Sequence, residues 1–186
     1  MDIETAIIEF GTEAVRRYTE ISQAKHDNEL PEIFLGGFIA CRLYDRFHRR
    51  VHVERLYTII ARELEIEISN ELLAELGGLR ADVAIYQDGL PSAIIELKIY
   101  DEGSAAYAIA ADLFKAQKLV NRARLGNLRA YVGVMICETS NCSLENRTRK
   151  LEEAIHQKVY SGEAQQSVDG QWHWCFGWAA QKDPPA

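Results

Sequence analysis

Positive charge is what this 186-residue chain is short of: 21 Lys and Arg stand against 28 Asp and Glu, for a formal net charge of -7 and a pI near 5.3. Phosphate affinity comes from Lys and Arg, so a general nucleic-acid coat protein is excluded and any nucleic-acid site must be local. Cysteine is sparse as well. Cys41, Cys137, Cys142 and Cys175 form no CxxC pair and no zinc-finger spacing, and read as reduced thiols in or near a core. A zinc site would have to use Cys137, Cys142 and His173, whose spacing nothing fixes. No apolar run reaches the roughly 18 residues of a bilayer span. The opening MDIETAIIEF has acids where a signal peptide needs bases, so the expectation is a soluble, cytoplasmic protein. A phosphate-cradling glycine loop and a cofactor fingerprint are missing too, which leaves a small-molecule enzyme little support. No repeat, low-complexity tract or linker divides the chain, and residues 1–186 are expected to form a single domain able to bury a full core.

What is present is a set of alternating patterns. Residues 3 to 24 space Ile3, Ile7, Phe10, Ala14, Tyr18 and Ile21 as the apolar face of a helix. HDNELP breaks that pattern, and Pro31 opens a second helix over about 31 to 49 that buries Phe34, Leu35, Phe38, Ile39 and Leu43. VHVERLY fits both a strand and a helical stripe. LEIEIS alternates as a strand, and NELLAELGG reads as a short helix closed by glycine. A helix over about 104 to 124 is expected with Ser104 as its cap and Gly126 beyond its end. RAYVGVMIC, residues 129 to 137, is the continuous apolar run of a strand buried on both faces. LENRTRKLEEAIHQKVY is a charged amphipathic helix. QWHWCFGWAA is a terminal strand placing Trp172, Trp174, Phe176 and Trp178 on one face, before a frayed tail, QKDPPA.

The chemistry concentrates in LRADVAIYQDGLPSAIIELKIY, residues 79 to 100, two apolar strands joined by a turn and carrying Asp82, Glu96 and Lys98. Side chains alternate along a strand, so Glu96 and Lys98 share a face, as do Asp82, Ala84 and Tyr86. The turn decides whether those faces coincide. A three-residue loop of Asp88, Gly89 and Leu90 sets Asp82 opposite Glu96, whereas a two-residue loop sets Asp82 opposite Ile95. In the first register two carboxylates meet at a Cβ separation of about 5 Å. They repel unless a cation sits between them, and hard oxygen ligands with room for water suit magnesium, with manganese as a substitute. Lys98 would face the same attacking water or scissile phosphate.

Asp82 followed after thirteen residues by Glu96-Leu97-Lys98, on two strands of a hairpin, resembles the PD-(D/E)xK nuclease superfamily, the restriction-endonuclease-like fold. The element order from about 31 to 137 resembles its αβββαβ core as well. The resemblance implies an α/β fold with a mixed central sheet flanked by helices, here with an extra N-terminal helix and a C-terminal helix plus strand. It implies metal-dependent hydrolysis of phosphodiester bonds, in DNA or less often RNA. Asp82 and Glu96 would be metal ligands, Lys98 the catalytic lysine, and the backbone carbonyl of Leu97 a further ligand if the strand bends there. Ala81 stands where the superfamily's name has proline. The plain alternative is a hairpin with one solvated face on which the three residues make a cross-strand ion pair of ~0.2–1 kcal/mol.

Many superfamily members carry a further acid before the hairpin, for which Glu32 and Glu54 are the candidates. An acid at position 32 is also favoured by the helix dipole alone. Gln117, on an otherwise apolar helical face, matches a glutamine that some members place near the metal. Arg80 shares the face of Asp82 and could meet a phosphate or a surface acid. Arg42, Arg46 and Arg49 follow one helical face, and Lys115, Lys118 and Arg122 another, as a local phosphate track would require. His48 and His52 have metal-pair spacing only if one helix spans both. The expected function is a magnesium-dependent nuclease, with a homodimer the simplest way to cut both strands of a duplex. The competing expectation is an inactive member of the same fold that binds nucleic acid or protein.

Overall fold

The computed structural model describes residues 2–23, 29–125 and 127–180. Part of HDNELP, the expected helix stop Gly126 and the tail QKDPPA lie outside the described residues. The chain opens with α1 (Ile3–Ser22), whose first turn is capped by Asp2 Oδ1 accepting from the Thr5 amide at 2.9 Å. Ala6, Ile7, Phe10, Ala14 and Val15 form its buried stripe, while Ile21, expected inside, is exposed one residue before the helix ends. α2 (Glu32–Phe47) follows Pro31, which serves as the N-cap instead of the first helical residue. Leu35, Gly36, Ile39, Ala40 and Leu43 are its buried residues, and Phe34 and Phe38 stack half-buried beside Tyr18.

His48 turns left-handed and ends α2, so it shares no helix with His52. VHVERLY resolves as a strand: Val51–Leu56 is β1, and the helical stripe holds only from Tyr57, in α3 (Tyr57–Glu63), so Val53 and Leu56 do not belong to it. LEIEIS is not a strand. Leu64 and Ile66 are buried, but Glu65 has a left-handed φ of 54° and no strand pairs with the segment, so the alternation records a buried loop. α4 (Asn70–Leu76) starts at Ser69, whose Oγ accepts from the Leu72 amide, and stops at Gly77. β2 (Arg80–Gln87) and β3 (Leu90–Tyr100) form the hairpin. α5 (Ala106–Val120) begins two residues after Ser104, whose hydroxyl is engaged with Asp101 and the Ile99 carbonyl and does not cap the helix. β4 (Arg129–Cys137), α6 (Leu144–Ile155), the two-residue strands β5 (Tyr160–Ser161) and β6 (Gln165–Gln166), and β7 (His173–Ala180) complete the chain.

These elements make an α/β fold around one open mixed sheet in the order β1-β2-β3-β4-β7-β5, with β6 also on β7. Among the described strands only β3 and β4 run parallel, because the intervening α5 returns the chain to the same end. Each face of the sheet closes its own core. α1 and α2 bury Val83, Ile95, Leu97, Tyr131, Met135 and Phe176, and the face covered by α3 to α6 buries Ala84, Ile94, Val132, Val134 and Ile136. β4, central and covered on both sides, is buried at every position but Arg129. No described helix is long and apolar enough to cross a membrane.

Candidate active site

The hairpin turn has two residues, Asp88 and Gly89, with φ of 52° and 85°, and Gln87 pairs with Leu90. Positive φ at both positions is the turn geometry that matches the twist of a hairpin. Alone it would oppose Asp82 to Ile95. The register slips by one between Ile85 and Tyr86, however: Tyr86 pairs with Pro91, Ile85 with Ala93 and Val83 with Ile95. Ser92 is the extra residue of this bulge, and its hydroxyl donates to the Ile85 carbonyl at 3.2 Å. Continuing that register sets Asp82 across from Glu96. A bulge, and not a three-residue loop, makes the two carboxylates converge.

The strands part at this point, and Asp82 Oδ2 accepts a 2.7 Å hydrogen bond from the Leu97 amide. The N–H and C=O of one strand residue point to the same side, so the Leu97 carbonyl faces the same gap as its amide. Glu96 is 5% exposed and accepts a hydrogen bond from the Tyr57 hydroxyl at Oε1. Lys98 Nζ lies 3.0 Å from Glu32 Oε2 and 3.5 Å from Asp112 Oδ2, thus between an acid of α2 and an acid of α5, one from each helical layer. A Cβ on Gly36 would stand 3.8 Å from the Asp82 carbonyl, which shows how closely α2 crosses the hairpin base and why Glu32, one turn earlier, reaches the site. On the other edge of β2, the pairs Val53–Val83 and Arg55–Ala81 bracket Glu54 and Asp82, so Glu54 is set across from Asp82; its own φ is 54°.

Burial dominates the electrostatics, with the crowding of carboxylates next. Burial, and then the neighbouring Asp82, pushes the Glu96 carboxyl up to about 8, with the Tyr57 hydrogen bond opposing the rise. Burial raises Asp82 as well, with Glu32 and Glu54 adding to the rise, while the Leu97 amide and Lys98 oppose it. Burial pulls Lys98 down, but Glu32, Asp82 and Asp112 outweigh it and hold the ammonium above its usual value. Tyr57 is raised by burial and by Glu96, so its hydroxyl remains a donor.

The structure therefore brings Asp82, Glu96, Lys98, Glu32 and Glu54 together, with the Leu97 backbone between them. It adds Tyr57 and Asp112, which the sequence reading did not single out. Gln117 is half-buried on α5 with no side-chain hydrogen bond joining it to the site; the helix reaches the site one turn and more earlier, at Asp112. The expected basic tracks are largely spent on ion pairs. Arg42 binds Glu13 and Arg46 binds Glu9 across the α1–α2 contact, ten or more residues along α2 from Glu32. Lys115 binds Asp112, Lys118 binds Glu75, Arg122 donates to the Lys118 carbonyl, and Arg80 donates to the Glu54 carbonyl at 2.9 Å. Among the described residues no three His, Cys, Asp or Glu side chains form a ready-made metal cage. No protein-family model, curated protein or solved structure matches this chain.

Proposed function

We propose that this chain is a magnesium-dependent nuclease of the PD-(D/E)xK type on a restriction-endonuclease-like fold, hydrolysing phosphodiester bonds in DNA, or in RNA. The observation that carries the reading is the bulged hairpin that sets Asp82 across from Glu96, with the Leu97 amide on Asp82 and Lys98 beside them. The order α2, β1, β2, β3, α5, β4 supports the fold assignment, with α3 and α4 inserted between β1 and β2.

The residues present fit a divalent cation. Glu32, Glu96 and Asp112 join Asp82 near one half-buried ammonium, with Glu54 across from Asp82, and burial followed by the neighbouring Asp82 raises the Glu96 carboxyl, so a cation between the acids would relieve their repulsion. Asp82, Glu96 and the Leu97 carbonyl would hold the ion, which needs no cage of three acids because magnesium keeps several waters and shares the substrate phosphate. Bound there, the cation would supply Lewis acidity to the phosphodiester and to the attacking water. Lys98 is held charged by its acids, so its role is to neutralise charge gathering on the phosphoryl oxygens and not to take a proton from water. Glu32 and Asp112 fix the ammonium in place.

A panel of single-stranded, duplex and branched DNA and RNA with magnesium tests the reading. The wild type should cleave at least one substrate, Asp82→Ala should lose metal-dependent cleavage, and Lys98→Ala should lose about 10²–10³-fold. Cleavage by Asp82→Ala with unchanged magnesium dependence would overturn it. A second reading, an inactive binding module on the same fold, draws on the pairing of the basic residues with acids; it predicts no divalent-ion binding by calorimetry and an intact plasmid.

A further inference from the structure

Each of the two central carboxylates has one oxygen tied to the protein. Asp82 Oδ2 is taken by the Leu97 amide and Glu96 Oε1 by the Tyr57 hydroxyl. Among the described residues, Asp82 Oδ1 and Glu96 Oε2 have no hydrogen-bond partner, and neither is a buried atom cut off from solvent. Each residue therefore offers a single oxygen to the gap. Tyr57 itself has little freedom. It is 2% exposed, lies in the same buried cluster as Ile60, Ala61 and Leu72, and its amide donates to the Leu79 carbonyl at 3.1 Å just before β2 begins. Its hydroxyl cannot leave Glu96 without leaving a buried polar group unpaired.

We propose that Tyr57 is a positioning residue that restricts Glu96 to one-oxygen coordination and so selects a small octahedral cation, magnesium or manganese, over calcium. The inference rests on the nuclease reading above and names which residue sets the ion preference of that site. Calcium takes six to eight oxygens and accepts carboxylates through one oxygen or both, whereas magnesium is served by one or two carboxylates and retained water. A Glu96 free to rotate would present both oxygens. The Tyr57 hydrogen bond denies it that pose, as partners behind metal ligands commonly do.

Calorimetric titration of the full chain with manganese and with calcium tests the proposal, on the wild type, Tyr57→Phe and Asp82→Ala. Phenylalanine fills the same space, so the fold is expected to persist. Manganese affinity should fall about 10-fold in Tyr57→Phe, while calcium affinity holds or rises, so that the ratio of the two shifts. An equal change for both ions, or no change, overturns the role of Tyr57. If Asp82→Ala leaves manganese binding untouched, the nuclease site falls and the inference with it. If Asp82→Ala abolishes binding while Tyr57→Phe keeps the ratio, the inference alone falls. An infrared difference spectrum of the wild type on adding manganese needs no variant: the carboxylate stretches should carry the wide splitting of one-oxygen coordination, and a two-oxygen pattern overturns the proposal.

Discussion

Glu96 is the acid of the site with the large upward shift, and that shift has a consequence for stability. Its carboxyl titrates near 8 in the folded chain against an ordinary value of 4.5, so between those limits the folded state binds a proton that the unfolded state has released. The contribution of Glu96 to stability is then fully present below about pH 4.5 and is lost as pH rises toward 8. Burial of Asp82 shifts its carboxyl the same way. At about 1.4 kcal/mol per unit, the loss amounts to several kcal/mol. In chelator, urea unfolding of the wild type should show ΔG falling over this window, and Glu96→Gln, which resembles the protonated acid, should flatten most of the slope. Equal slopes in the two proteins would show that Glu96 ionises without strain. At the same level of detail, Asp82, Glu96 and Lys98 were legible because charged residues inside an apolar alternation are costly. Tyr57 and Asp112 were not: each joins the site through a contact made only on folding, Tyr57 to a residue 39 positions away.

α1 is held to the sheet at Gly11. A Cβ there would stand 2.4 Å from the Phe176 ring of β7, well inside van der Waals contact. In an exposed helix Gly→Ala gains about 1 kcal/mol, but here overpacking costs about 1–3 kcal/mol, and Phe176 is fully buried and cannot turn aside. Gly11→Ala is expected to lower stability by about 1–2 kcal/mol, read as a lower urea midpoint with the same slope; a raised midpoint would mean that α1 lifts away freely. The ends of β4 were legible to the residue, since an unbroken apolar run bounded by polar residues has one solution in a sheet covered on both faces. LEIEIS misled because alternation shows only that every second residue is buried, and a loop pressed on a core satisfies that without a strand partner. The hairpin lay between these cases. Its turn sequence allowed two registers, and the bulge at Ser92 that decides between them is a cooperative property of both strands.

The whole molecule is acidic, and three of its bases form pairs that join helix to helix: α1 to α2 through Glu13–Arg42 and Glu9–Arg46, and α4 to α5 through Glu75–Lys118. From sequence these bases look like phosphate tracks, because each set follows one helical face; the acids that meet Arg42, Arg46 and Lys118 come from other helices and are found only once the layers are assembled. Arg42 also lies over the Phe10 ring, 5.6 Å from its centre, and is further committed to the α1–α2 contact. If the chain binds nucleic acid at the candidate site, the phosphates it neutralises are therefore few, because the bases at the site, Lys98, Lys115 and Arg80, are themselves engaged with Glu32, Asp112 and the Glu54 carbonyl. Counterion release then sets a shallow salt dependence. For about two to three phosphates, log K should fall with log salt at a slope of about -2 to -3. Measured with magnesium on a non-cleavable duplex, a slope of about -6 or steeper would mean that the interhelical pairs open and that Arg42, Arg46 and Lys118 turn to the backbone. A shallow slope that steepens only when Glu13 and Glu9 are replaced by glutamine would show that these acids hold the arginines away from the ligand.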